Sequence, residues 1–357
     1  MKLRVSLVVL SCLLSIITGL VLARGGAVKE RTTGGRVRLG LSMDTLKEER
    51  WQGDRDMFVR RAQELGADVE VLSANSDDTR QIRDVEALLT GGIDALVIIP
   101  HDGAAMARAV ELAHKEGVPV LAYDRLITGS DLDLYMTFDN VKVGELQAQF
   151  LVDRLGSGGG AKRIVRIYGS KTDNNARLFK EGQDKILEPL IRSGEIEIVH
   201  EDWAQDWRPE NAKRIANSAL TKGVAIDAIL ASNDGTAGGA IQALTEEGLA
   251  GKVVVTGQDA ELAACQRIVA GTQSMTIYKP LSRLATQAAE VAVKMARRQP
   301  LVAKAELDNG KTMVPSVLLD VISVTKENIK ETVVKDGFHK REAIYGTAPT
   351  ASASPSF

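Results

Sequence analysis

The chain has 357 residues, 44 % hydrophobic, 26 % charged and only 4 % aromatic, with 45 Lys and Arg against 47 Asp and Glu for a net charge of −2. That balance excludes a fibrous repeat, a wholly disordered chain, a many-span membrane protein and a nucleic-acid binder that works by bulk positive charge. At about 150 residues per domain the length predicts two domains, and two cysteines cannot make a disulfide scaffold.

Residues 1–27 read as an export signal. Lys2 and Arg4 give a positive start, residues 5–23 are uncharged and apolar, and Val21-Leu22-Ala23 is a small-residue cleavage pattern, with Ala27 a second candidate. The competing reading is an uncleaved anchor, because about 19 apolar residues nearly span a bilayer. Cys12 follows a weak lipoprotein-like stretch, but the apolar run continues past it. Removing the signal leaves Cys265 as the single thiol, expected to be inert core filler.

From residue 37 strands and helices alternate. Strands are expected at 37–43, 68–72, 95–99 and 118–123, and helices at 55–65, 78–89 and 104–116. The first helix carries Met57, Phe58, Ala62 and Leu65 at helical spacing, and Gly66 stops it. Residues 95–99 are wholly apolar, as in a sheet covered on both faces. The pattern then restarts with a helix at 144–155 and a glycine-rich loop at 156–160. Strands follow at 163–168, 196–200, 228–231, 252–256 and 274–278. Helices follow at 176–191, 209–220 (Pro209 at its start), 236–247, 262–269 and 282–298. Repeated βαβ units predict an α/β fold of two doubly wound parallel sheets, with a boundary near 137–141. The tail 346–357, rich in Ala, Ser, Pro and Thr, is expected to be disordered.

Open parallel sheets bind ligands beyond the carboxyl ends of their strands. Those ends deliver Arg50-Trp51, Asp124-Arg125, Asp173-Asn174-Asn175, Trp207, Asn233, Asp259 and Lys279. Carboxylates and amides exchange hydrogen bonds with hydroxyls, Arg and Lys donate, and an indole face stacks on a sugar ring, so the set suits a polyhydroxylated ligand. Each residue also has a plainer role. Asp102 is expected to cap a helix, Asp124-Arg125 reads equally as a structural ion pair, Glu48 and Glu49 as solvated charges, and Trp203 as packing. His114, on a helix, and His339, in the tail, are expected at the surface. There is no Gly-x-Ser-x-Gly elbow, no phosphate loop and no zinc-spaced His/Cys cluster. The 156–160 run precedes a strand, whereas a phosphate cradle follows one. The expectation is therefore binding without catalysis, metal or cofactor.

The chain resembles the periplasmic sugar-binding proteins of the ribose/galactose type and, within them, the branch that takes D-xylose for ABC importers. The resemblance rests on Glu49-Arg-Trp-Gln-Gly-Asp-Arg-Asp56, Leu121-Ala-Tyr-Asp-Arg125, Phe138-Asp-Asn140, Val143-Gly-Glu-Leu-Gln147 and Asp173-Asn-Asn-Ala176. Further on it rests on Ala231-Ser-Asn-Asp234, Thr236-Ala-Gly-Gly-Ala-Ile-Gln-Ala-Leu244, Gly257-Gln-Asp-Ala260, Ala270-Gly-Thr-Gln273 and Tyr278-Lys-Pro280. It spans about residues 36–345.

The resemblance implies two lobes joined by a three-segment hinge, near 137–141, 279–281 and 307–312. One lobe would take 36–137 plus 280–308, the other 138–279 plus 309–345, including a late strand around 317–321. It implies sugar contacts at Arg50, Trp51, Asp124, Arg125, Asn175 (with Asp173 or Asn174), Trp207, Asn233, Asp259 and Lys279. Trp51 and Trp207 would enclose a flat pyranose such as xylose. The implied partners are a monosaccharide and a membrane ABC permease, with no nucleic acid and a monomeric state. A sensor presenting the sugar to a receptor kinase is the alternative. A sugar-responsive repressor would need a helix-turn-helix where this chain has its apolar leader.

Overall fold

The computed structural model describes residues 35–346 except Ser157. The expected export signal, Cys12 and the tail from 347 lie outside the described residues. The first half comprises β1 (Val37–Met43), α1 (Glu49–Glu64), β2 (Ala67–Ser73), α2 (Asp78–Thr90), β3 (Ala95–Ile99), α3 (Ala107–Lys115), β4 (Val120–Tyr123) and β5 (Leu134–Phe138). The later strands β11 (Ala305–Asp308) and β12 (Met313–Leu319) join them in a seven-stranded sheet ordered β11-β12-β5-β4-β3-β1-β2. Every neighbouring pair is parallel except the edge pair β11 and β12.

β3 explains why the sheet is covered twice. All five of its residues are buried. Val97 and Ile99 pack with Leu41, Met136, Leu284 and Ala288, while Leu96 and Ile98 pack with Val85, Leu88 and Ala109. Side chains alternate faces along a strand, so an unbroken apolar run needs a hydrophobic layer on each side. The layers here are α1 with α9 (Leu281–Ala296) on one face and α2 with α3 on the other.

A second sheet, ordered β7-β6-β8-β9 and wholly parallel, is built from β6 (Lys162–Tyr168), β7 (Ile196–Trp203), β8 (Ala228–Ala231) and β9 (Val254–Val255). Helices α4 (Asn140–Leu155) and α5 (Asn174–Arg192) cover the face of Ile164 and Leu230. Helices α6 (Pro209–Leu220) and α7 (Asp234–Glu246) cover the face of Val165 and Ile229. Helices α4 and α5 approach so closely that a Cβ on Gly144 would stand 2.0 Å from the Phe179 carbonyl oxygen. Only glycine fits there. The chain continues through α8 (Leu262–Ala270) and β10 (Thr276–Tyr278), and ends in β13 (Ile322–Val324), which pairs antiparallel with β10, and α10 (Arg341–Tyr345).

Three differences from the sequence reading bear on the site. Helix α1 begins at Glu49, six residues before the expected start. Its first turns are charged and held by an i, i+4 ion pair from Arg50 Nε to Asp54 (3.4 Å), which leaves no apolar period to read. Strand β5 was not anticipated. It is buried throughout, but its Tyr135 and Thr137 hydroxyls both donate to the Asp124 carbonyl oxygen (2.8 and 2.7 Å), so its pattern is only partly apolar. The segment 307–312, expected to be a crossing, is instead the turn of the β11–β12 hairpin, where Gly310 takes a φ of 85° after Asn309. Strand β12 pairs with β5 (Ser316 opposite Tyr135) and stays in the first sheet. The chain therefore passes from the first sheet to the β10–β13 ribbon between Leu319 and Ile322, not near 307–312.

Candidate functional site

Ten of the eleven expected residues line one cavity of about 350 Å³. Arg50 and Trp51 come from the first turn of α1, Asp124 and Arg125 from the loop after β4, and Asp173 and Asn175 from the start of α5. Trp207 comes from the turn after β7, Asn233 from the cap of α7, Asp259 from the loop after β9 and Lys279 from the end of β10. The lining thus gathers the carboxyl-end segments of both sheets, where open α/β sheets place their ligands. Asn174 sits on the same helix start but does not line the cavity.

Arg50 is the electrostatic hub. It donates to Asp124 Oδ2 (2.7 Å), Asp259 Oδ1 (3.1 Å) and Asp54 Oδ2 (3.4 Å), and its side chain is only 6 % exposed. Burial disfavours its charge, yet Asp124 and Asp259 hold its pKa well above the ordinary value. Burial also works against ionisation of Asp124, but Arg50 and then Lys279 keep its carboxyl below the usual value. Asp54 lies behind Arg50 and accepts from the Tyr123 hydroxyl. There burial outweighs Arg50 and lifts the carboxyl to about 6.

Arg125 forms the second node. Its Nη1 donates to Asp44 Oδ2 (2.7 Å) and to the Pro100 carbonyl oxygen (3.1 Å), and its Nε lies 2.9 Å from Asp173 Oδ2. Asp173 also caps α5 by accepting from the Asn175 amide (2.9 Å), and it accepts from Trp207 Nε1 (3.1 Å). Burial raises its pKa against the pull of Arg125. The expected Asp124-Arg125 pairing is therefore replaced by two longer-range sets, Asp124 with Arg50 and Arg125 with Asp44 and Asp173. Two of these links, Arg50–Asp259 and Arg125–Asp173, join elements of the first sheet to elements of the second. So does Asn175, whose Nδ2 donates to the Asp124 carbonyl oxygen (3.0 Å) and carboxylate (3.1 Å).

The apolar faces are equally fixed. The Arg50 and Arg125 guanidiniums lie 4.2 and 5.2 Å from the Trp51 ring centroid. Trp207 sits in left-handed backbone (φ 57°) with its ring against Gly169, where a Cβ would come within 2.0 Å of the indole. Lys279, 1 % exposed, stands 3.5 Å from Asp259 Oδ1 and 5.4 Å from the Phe179 ring centroid.

Glu48, Phe179 and Gln258 also line the cavity and were not anticipated as contacts. As sequence, Glu48 reads as a solvated charge, and Gln258 stands directly beside Asp259. Phe179 follows Asn175 by one helical turn, which is the signal that would have found it. Behind Asn233, whose side chain makes a capping box with Thr236, Asp234 is fully buried. Burial and then Asp259 push its pKa to about 7, and burial with Asp234 pushes that of Glu261 to about 8.

The remaining expectations fall elsewhere. Asp102 caps a turn, accepting from the amides of Ala104 and Ala105 (2.8 and 2.9 Å). Trp203 packs on Tyr168 with ring centroids 4.8 Å apart, outside the cavity. His114 pairs with Asp133 (2.8 Å) at the surface. His339 is not a free surface residue; it is half-buried, with Nε2 2.8 Å from the Ala260 carbonyl oxygen. Cys265 is a buried free thiol whose pKa is pushed up by burial to about 12.

Residues 39–300 match the periplasmic binding protein domain family. The chain is 52 % identical over 310 residues to the D-xylose-binding periplasmic protein of Haemophilus influenzae, covering 87 % of this chain and 92 % of that protein. It is 50 % identical over 309 residues to the protein of the same name from Escherichia coli, covering 86 % and 92 %. Among solved structures, a carbohydrate transporter solute-binding protein from Chloroflexus aurantiacus in complex with D-glucose superposes with a TM-score of 0.80 at 35 % identity, covering 85 % of this chain and 97 % of that one.

Proposed function

The chain belongs to the periplasmic binding protein family, and on that premise we propose that it captures D-xylose in the cavity between its two sheets and delivers it to an ABC permease. The observation that carries this reading is the composition of the cavity. Each full cation in it, Arg50, Arg125 and Lys279, already faces a protein carboxylate. Such a site has no uncompensated positive charge to hold an anion, which suits a neutral solute. Two indoles supply flat apolar faces, and amides supply directional contacts to hydroxyls. The 50–52 % identity to proteins named for D-xylose binding supports that sugar over other neutral aldoses.

The mechanism is capture without turnover. In this reading the first sheet with α9 forms one lobe, and the second sheet with the β10–β13 ribbon forms the other. The hinge is the three passages after Phe138, between Tyr278 and Leu281, and between Leu319 and Ile322. The direct links Arg50–Asp259, Arg125–Asp173 and Asn175–Asp124 belong to the closed arrangement. The sugar favours closure only by the contacts it gains there on both lobes at once. The Arg50, Trp51, Asp124, Arg125, Asp173, Asn175, Trp207, Asn233, Asp259 and Lys279 side chains are its contacts. The chain acts outside the cytoplasmic membrane as a monomer. Native mass spectrometry with D-xylose tests this reading: one sugar on one chain is expected, and a persistent dimer or the absence of any xylose adduct contradicts it.

A further inference from the structure

Gln258 is buried to 2 % exposure in the cavity wall, yet its Oε1 has no hydrogen-bond partner among the described residues. A buried acceptor left unpaired is unfavourable and calls for a partner. The backbone that carries it is fixed at this point of the cavity wall. The Gln258 carbonyl oxygen accepts from the Asp234 amide (2.9 Å), and the Gly257 carbonyl oxygen accepts from Gln147 Nε2 (3.0 Å) and the Ile277 amide (3.2 Å).

Several neighbouring acceptors are already engaged. Both Asp124 oxygens accept from protein donors, Asn175 uses its carbonyl and its amide within the protein, and Asn233 Oδ1 caps α7. One other cavity acceptor is unpaired, Oε2 of the partly exposed Glu48. The protein therefore leaves an acceptor open at this point of the wall, which a ligand that brings a hydrogen-bond donor can fill.

We infer that Gln258 is a specificity-determining contact that accepts a hydrogen bond from one hydroxyl of the bound sugar, and so selects neutral aldoses over sugar acids and sugar phosphates. A hydroxyl donates to the carboxamide oxygen, whereas a carboxylate or phosphate oxygen at that point brings no donor. Rejection arises because the acceptor then stays buried and unpaired. This inference rests on the proposal that the cavity holds D-xylose.

The test is a binding cycle by calorimetry. Wild type, Gln258→Met and Gln258→Leu are titrated with D-xylose and with xyloses lacking one hydroxyl at a time, with thermal melting as the folding control. Met keeps the reach of the side chain and loses the oxygen. The expected result is about a tenfold weaker affinity for D-xylose in either folded variant, with that loss abolished for one particular deoxy sugar. Wild-type xylose affinity in a folded variant overturns the inference, as does a loss that persists undiminished for every deoxy sugar. Failure of wild type itself to bind D-xylose overturns the functional proposal first, so the two failures are distinguishable.

Discussion

The first sheet presents Arg50, Arg125 and Asp124 with one indole to the cavity, whereas the second presents Asp173, Asp259 and Lys279 among amides and a second indole. Arg50, Trp51, Asp124 and Arg125 stand on a regular helix start and one tight loop, and their charges are shared among Asp44, Asp54, Asp173 and Asp259. Asn175, Trp207, Asn233 and Gln258 are held mainly by capping and backbone geometry. A charge network concentrates risk, because removing one cation strands several buried carboxylates. An amide or indole wall spreads it, because each loss is local. The two walls should therefore respond differently to substitution, the first through stability and the second through binding.

Arg50→Met should have the largest effect. It leaves Asp54, Asp124 and Asp259 without their shared partner, and breaking a buried charged set costs about 3–5 kcal/mol. Urea unfolding of the sugar-free protein should show that loss, and an unchanged midpoint would erase the contrast between the walls. Asp259→Ala and Trp207→Ala should weaken D-xylose binding by about 2–3 kcal/mol, through a lost charged hydrogen bond and lost stacking. Trp207→Ala should do so with the smaller cost in stability, and wild-type affinity in both would remove them from the site.

Acid–base behaviour sharpens the same comparison. Asp234 and Glu261, on the second side, hold protons more tightly when folded, with pKa values of about 7 and 8 against ordinary values of 3.8 and 4.5. Their contribution to stability is complete below the ordinary carboxylate range and is lost as pH rises through 7 and 8. Melting of the sugar-free protein should therefore fall between pH 5 and 8. Glu261→Gln should flatten that slope and add about 1 kcal/mol at pH 8; an unchanged slope would show the group is not proton-linked. The smallest effect is expected at Asn174, which stands beside Asn175 but off the cavity. Asn174→Ala should change xylose affinity by less than about 0.5 kcal/mol, and a tenfold loss would redraw the second wall.

Much of this architecture was legible because period-2 and period-3.6 patterns are strong where both faces of a sheet are covered. The strands at 37–43, 95–99 and 228–231 have the expected bounds. The cavity lining was legible because a parallel sheet sends the residues that face its open edge to strand ends, so Asp124-Arg125 and Asn233 announced themselves by position. What was hidden depended on partners far away in sequence. The pairing of Arg50 with Asp259 spans 209 residues and that of Arg50 with Asp124 spans 74, and no local pattern distinguishes them from an Asp124-Arg125 pair. Gln258 was hidden because its importance lies in a missing partner, which only burial reveals. The β11–β12 hairpin was hidden behind the expectation of a crossing, although Asn309-Gly310 is itself a turn signal.

The most direct test of the account is calorimetric titration of the purified protein with D-xylose, D-ribose, D-glucose and L-arabinose. The account predicts tight one-to-one binding of D-xylose in preference to the other three. No heat of binding with D-xylose, or a clear preference for another of the four sugars, would contradict it.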